Sequence, residues 1–498
     1  MDTQHFQPSH SSSETGKNDP KLNRRTVLKL GLGTLGLSAA TLGAIESLTR
    51  LPERMAHAAP ASLPDIQYDI ADYLPPARNI NGIAFRFGPV HTLFLTAQLK
   101  RAPSKHDANV LAAALDTVES TYPFSPQGVF TFVSYGLPYF RRLPAHLFDS
   151  YIPRLLSDPH RFALEEAVPG PTDVSPENPG IHKKHFNVPV VIESNDVLFT
   201  LRSDSLDNLQ NVSNWLQGST DILNGKHIPP PDLSRVFSFT SSRLMFLQIG
   251  LPRKLAAAHS LSYAERVNPA SPMWMGFADQ QVDGAGPAAI TTFQGNSSAS
   301  FTDTKPGDYF YDGSIQHLSH VIQDLQQFYA NNEPFTERCQ YMFRSDPIPS
   351  LGNQEQFKNG GGPAFLDNIY KGKDDAAKNA KAIHTYQHEH RMGHLAGLQR
   401  SSRAQDGTPI HIRMDGPGFD TLDVPDGSNQ PKLQFTIFVP TANFFVKMRE
   451  NAASLDLVKK YCVRDEDNGL ERFLTATRRQ NFLVPPRAHR AFPLCEFT

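Results

Sequence analysis

Cysteine is scarce, with three residues in 498 (Cys339, Cys462 and Cys495). Three thiols exclude a disulfide framework and a four-thiolate zinc site, and the odd number leaves at least one without an internal partner. A surplus of one charge is also lacking. Lys and Arg number 48 against 50 Asp and Glu, a formal net charge of −2, which argues against a nucleic-acid partner because that needs a basic face. No apolar stretch reaches the roughly 20 residues of a membrane span. Tryptophan occurs twice, at Trp215 and Trp274. Proline, by contrast, is abundant at 40 residues, which predicts many loops and long connections. With 39% hydrophobic and 20% charged residues the chain can close a sizeable core and is not disordered as a whole. Its length predicts either one large domain or, as the better reading, two or three.

Residues 1–22 are polar and read as disordered. Asn23-Arg24-Arg25-Thr26-Val27-Leu28-Lys29 follows, then a small-residue apolar run from Leu30 to Ile45. Two adjacent arginines ahead of a weakly hydrophobic run resemble a twin-arginine export signal, although Asn23 stands where Ser or Thr is common and Val27 where Phe is common. Ala56-His57-Ala58 fits a small-x-small cleavage site, set back from the run by Glu46, Arg50, Glu53 and Arg54. The expectation is a tail and signal over residues 1–58 and a periplasmic or extracellular protein. That route carries folded proteins, which suits a chain that acquires a cofactor before export.

From about Leu63 the composition is globular. Asp65-Ile66-Gln67-Tyr68 opens it, and His91–Leu99, Gly128–Ser134, Val188–Ile192 and Asp196–Leu201 read as strands. Ala108–Glu119 has helical spacing, and a second helix follows Leu201 with Ser203 or Asp204 as its cap. In the second half, Ile315–Ile322, Ile410–Arg413, Leu433–Val439 and Phe482–Val484 read as strands. Gln323–Tyr329, Asp374 to about Leu398, Ala442–Arg449 and Glu471–Thr477 read as helices. Two rounds of strand and helix without strict βαβ spacing predict an α+β fold, antiparallel sheets flanked by helices. Residues 63–254 and 255–498 are the expected domains. Residues 255–310 and 345–382 read as long inserted loops.

Five of the nineteen histidines (His384, His388, His390, His394 and His411) fall within 28 residues. His384/His388 and His390/His394 each have the i, i+4 spacing that shares a helix face. A zinc site, one axial haem ligand among bystanders, and a solvated polar face are all open on that pattern, with the polar face favoured by composition alone. Asp279 sits on a glycine-bounded turn after Met273-Trp274-Met275, and Arg413 on a short strand two residues before Asp415. A carboxylate and a guanidinium converging on one pocket can shuttle a proton and hold developing negative charge. Singly, Asp279 reads better as a turn residue and Arg413 as a surface ion pair.

Taken in order, these segments resemble the dye-decolourising peroxidase superfamily from Asp65 to about Pro486. Asp65-Ile66-Gln67 resembles its first strand, and Gly136-Leu137-Pro138-Tyr139-Phe140 its G-L-x-x-F turn. Asp196–Asp204 resembles its strand-to-helix step. Gly276-Phe277-Ala278-Asp279-Gln280 resembles the G-x-x-D-G signature, with Gln280 in place of the last glycine. Asp312-Gly313-Ser314 resembles the segment that comes next in the family. His394 and Arg413, nineteen residues apart, resemble the axial histidine and distal arginine, and Phe482-Leu483-Val484-Pro485-Pro486 the closing strand. Each motif is weak alone, and the shared order carries the resemblance.

The resemblance implies two ferredoxin-like domains of the dimeric α/β-barrel type and a haem b peroxidase that uses hydrogen peroxide to oxidise an organic donor. It further implies self-association, with His394 as axial iron ligand and a carboxylate behind it, for which Glu471 is the candidate. Asp279 would move the peroxide proton, Arg413 would hold the leaving oxygen's charge and a haem propionate, and Asp415 would line the same face. Trp274 is a candidate electron relay, although a packed core residue is the better reading of it. Gln280 departs from the signature, which keeps a haem-binding or haem-processing envelope protein in view. A zinc-dependent hydrolase and an exported scaffold without cofactor are the other rivals.

Overall fold

The computed structural model describes residues 39–50, 62–76, 78–80, 83–85, 88–277, 288–295, 301–330, 338, 341–342, 393–394, 411–455 and 469–498. The first half contributes β1 (His91–Leu99), α1 (Lys105–Thr121), β2 (Phe130–Gly136), β3 (Val197–Ser203), α2 (Leu206–Leu216) and β4 (Phe237–Phe246). The second contributes β5 (Ser314–Gln323), α3 (Leu325–Ala330), β6 (Gly416–Asp420), β7 (Gln430–Val439), α4 (Ala442–Ala453) and β8 (Leu474–Val484). Helix α1 starts where Ser104 and Asp107 cap each other, Asp107 N–H donating to Ser104 Oγ and Ser104 N–H to Asp107 Oδ2.

All of these strands join one antiparallel sheet in the order β4-β1-β3-β2-β8-β5-β7, with β6 on the far side of β7. Each half therefore has the strand order 4-1-3-2, the ferredoxin-like arrangement, and the halves join along β2 and β8. The fold is α+β around a large antiparallel sheet. The sheet also curls back on itself, because β4 and β6 lie side by side. A Cβ on Gly418 would stand 3.1 Å from the Leu244 carbonyl oxygen, and one on Gly416 2.9 Å from Met245 Cγ. Glycine at both places permits that approach.

Curling gives the strands two buried faces, which is why β1, β2 and β5 read as apolar runs and not as alternating half-exposed strands. Phe94, Phe132, Leu198, Met245, Leu318, Met414, Phe438 and Phe482 pack on the inner face. The outer face carries the larger core, where α1 and α2 cover the first half and α4 the second.

Several expectations change at this level. Asp65-Ile66-Gln67 forms no strand, and the sheet begins at His91. The second helix is capped by Ser205, not Ser203 or Asp204. Only Val191–Ile192 of the Val188–Ile192 run is strand. Glu471–Thr477 is not a helix: a single turn at Glu471–Phe473 leads into β8, which starts at Leu474 and so is far longer than Phe482–Val484. Helical spacing misled there because Thr477 is an extra residue in the ladder. His320 pairs with Arg478 but Val321 with Ala476, and this bulge breaks the period of two. Within the expected leader, Ala39–Leu48 is a helix that packs on Leu251–Ala258 with Leu42 and Ile45 fully buried. Residues 345–382, the expected second loop, lie outside the described residues. Among the described residues no helix is long and apolar enough to cross a membrane.

Candidate functional site

The outer face of β5, β7 and β8 forms the floor of a cavity, and α4 forms one wall. The empty space is about 1270 Å³, part of it open to solvent. Val321, Leu433, Phe435, Phe445 and Met448 make most of the lining apolar, and Met273, Met275 and Phe277 reach it from the long connection after β4.

His394, Arg413 and Asp415 all line this cavity. Arg413 and Asp415 do so because of strand periodicity. Arg413 pairs with Ile437 and Gly416 with Gln434, a single register that sets Asp415 opposite Phe435, on the same face as Arg413. Met414, between them, points to the inner core. The Arg413 Nε to Asp415 Oδ1 distance is 4.0 Å, and both side chains are largely buried. His394 is held from behind by backbone, since a Cβ on Gly469 would come within 2.9 Å of its Cα. His411 is buried. Asp279, Gln280, His384, His388 and His390 lie outside the described residues, although Phe277, two residues before Asp279, reaches the cavity. Among the described residues no group of three or more His, Cys, Asp or Glu side chains could hold a metal ion.

A polar wall was not anticipated from the sequence. Arg479 Nε and Nη2 donate to the two oxygens of Asp173 at 2.6 and 2.9 Å, with both side chains almost fully buried. The bulge at Thr477 puts Arg479 on the cavity face together with Ala476. Beside this pair, Arg449 Nη2 donates to Glu471 Oε2 at 2.7 Å and Nη1 to Oε1 at 3.2 Å. Thr172 Oγ1 also donates to Glu471. Burial tends to raise the carboxyl of Asp173, but Arg479 and then Arg449 outweigh it and hold the group below its ordinary value. Glu471 behaves likewise: burial opposes ionisation, yet Arg449, Lys183 and Thr172 bring it down to about 2. Glu471, the candidate carboxylate behind His394, thus has both oxygens engaged by Arg449.

This pairing has a pH consequence. A depressed carboxyl adds stability that is complete above the unfolded value near 4.5 and is lost as pH falls toward about 2. Glu471→Gln should flatten that loss. Its urea midpoint is expected to fall less than the parent's between about pH 5 and about pH 2, and equal slopes would contradict the assignment.

Both tryptophans are core residues in hydrogen-bonding terms. Trp215 Nε1 donates to the Ile228 carbonyl and Trp274 Nε1 to the Gly418 carbonyl, each at 2.9 Å. Trp274 is fully buried against Phe246 and Phe419.

Solved structures of low sequence identity align with the chain. The encapsulated DyP-type peroxidase from Mycobacterium smegmatis is 15% identical with a TM-score of 0.44, covering 80% of this chain and 94% of that one. DyPB from Rhodococcus jostii RHA1 is 14% identical at 0.45, covering 81% and 94%. The dye-decolorizing protein from V. cholerae is 13% identical at 0.42, covering 83% and 95%. No curated protein matches the sequence. The sequence profile of a family of unknown function, DUF7405, matches residues 89–486, from the first strand of the sheet to the end of the last, and the chain belongs to that family.

Proposed function

We propose that the protein is an exported haem peroxidase that uses hydrogen peroxide to oxidise organic donors. The observation that supports this best is the convergence of His394 with Arg413 and Asp415, two separate segments, on one largely apolar cavity. The donor set suits a porphyrin: an imidazole for iron, Met, Leu and Phe side chains for the ring faces, and a guanidinium for a carboxylate side group. Haem b bound there would supply the iron on which peroxide is reduced.

His394 would hold that iron through a neutral ring nitrogen. Arg413 would stabilise negative charge on the leaving oxygen and pair with a propionate. Asp279 would take the peroxide proton on its carboxylate and return it to that oxygen. Asp415, across from Phe435, would line the same face. Arg449 and Arg479 suit a different task, since each is already paired with a carboxylate, Glu471 and Asp173. They hold those two buried carboxylates in their charged form.

Haem titrated into the full-length protein should give a Soret band that saturates near one equivalent. Arg413→Ala and Asp279→Ala should keep the band and lose on the order of 10²–10³-fold in peroxide-dependent phenol oxidation. A band with the same weak turnover in parent and variants would favour a haem-binding protein. Zinc in the purified protein and no band would favour a hydrolase.

A further inference from the structure

The helix Ala39–Leu48 lies inside the stretch that the sequence assigns to an export leader, yet its packing is that of a core element. Thr41, Leu42 and Ile45 are fully buried, and Leu42, Ile45 and Leu48 form one stripe at helical spacing. Leu42 and Ile45 belong to the same core cluster as Leu251, Leu255 and Ala256 of the helix Leu251–Ala258, on which Ala39–Leu48 packs. Thr49 closes the last turn, its N–H and its Oγ1 both donating to the Ile45 carbonyl at 2.9 and 2.7 Å.

The two ends of this helix are tied to the two sides of the seam where β4 meets β6. Thr41 Oγ1 donates to Asn429 Oδ1 at 2.8 Å, and Asn429 stands in the connection between β6 and β7. At the other end, Arg50 N–H donates to Gln248 Oε1 at 3.0 Å, and Gln248 Nε2 donates back to the Arg50 carbonyl. Gln248 stands two residues beyond β4. Among the described residues no strand pairing joins β4 to β6. The seam therefore lacks the backbone ladder that holds the rest of the sheet, and the helix supplies ties across it. A removable leader has no use for such contacts, because the apolar surface it covers returns to water when it leaves.

We propose that Ala39–Leu48 is a permanent clasp on the β4–β6 seam and that the mature chain retains it. Processing, where it occurs, cuts ahead of Ala39, and Ala56-His57-Ala58 is not the site. The proposal goes beyond the peroxidase reading and depends neither on haem nor on export, so no outcome of the haem titration bears on it.

Hydrogen exchange read by mass spectrometry on the full-length protein tests the clasp. The Gly43–Thr49 amides should exchange at least about 100-fold more slowly than an open chain. Leu42→Asp with Ile45→Asp cannot keep two carboxylates in that core. In this variant the segment should exchange at open-chain rates and the Leu251–Ala258 amides should exchange faster. Its thermal midpoint should fall by about 5 °C or more. Gln248→Ala with Asn429→Ala leaves the leader sequence untouched and should speed exchange of Gly43–Thr49 roughly tenfold. N-terminal sequencing of the folded protein from the cells that make it, in whatever compartment, should find residues 39–48 still attached. Open-chain exchange of Gly43–Thr49 in the parent, unchanged exchange of Leu251–Ala258 in the double Asp variant, or a mature chain that begins after Leu48 overturns the proposal.

Discussion

Arg479→Ala is expected to lower the unfolding free energy by about 3–5 kcal/mol, the range for breaking one side of a buried ion pair. Asp173 and Arg479 are 3% and 4% exposed, so solvent screens the intact pair little. The variant strands a carboxylate that burial already disfavours and removes the donor to Ser319. Most of the cost comes from the abandoned charge rather than from the lost bond. The double variant Arg479→Met with Asp173→Leu should accordingly recover more than half of the loss, because it removes both charges at similar volume. Urea unfolding of the parent, the single and the double variants measures this directly. A single-variant loss under about 1 kcal/mol would mean that solvent reaches the pair.

His394→Ala is expected to lower haem affinity by on the order of 100-fold or more, since losing even an outer partner of a metal ligand costs about 10–100-fold. The Soret band should weaken and move at equal haem concentration, and exogenous imidazole should restore part of it by filling the space left by the side chain. His411→Ala is the control for any buried histidine in this region, because His411 is 2% exposed and is not among the cavity-lining residues. If His411→Ala abolished the band and His394→Ala left it intact, the axial assignment would fall. His384, His388 and His390, changed together, should leave the band in place.

The site was legible where chemistry and local period coincide. Arg413 and Asp415 stand two apart on a strand, and that spacing alone puts them on one face. His317 and Ser319 have the same spacing in β5, so the hydrogen bond between them could have been read from Ile315–Ile322 once that run was taken as a strand. Arg479 could not. Counting by twos from Leu474 assigns the cavity face to Arg478, and only the extra residue at Thr477 moves Arg479 there. Asp173, and the pairing of Glu471 with Arg449, were hidden for another reason. Each is defined by an arginine, 306 residues distant for Asp173 and 22 for Glu471, and no local pattern marks such partners.

Composition and alternation by themselves determined that this is an α+β chain with two rounds of strand and helix, without a disulfide framework or a surplus of positive charge. Those properties follow from residue type and short-range period, which act within a few residues along the backbone. Only the tertiary structure decided that the sheet curls until β4 meets β6, that a bulge turns Arg479 into the cavity, and that His394 and Arg413 open onto the same space. Closure and bulge depend on how distant strands pair, and pairing is settled by contacts that sequence separation does not encode.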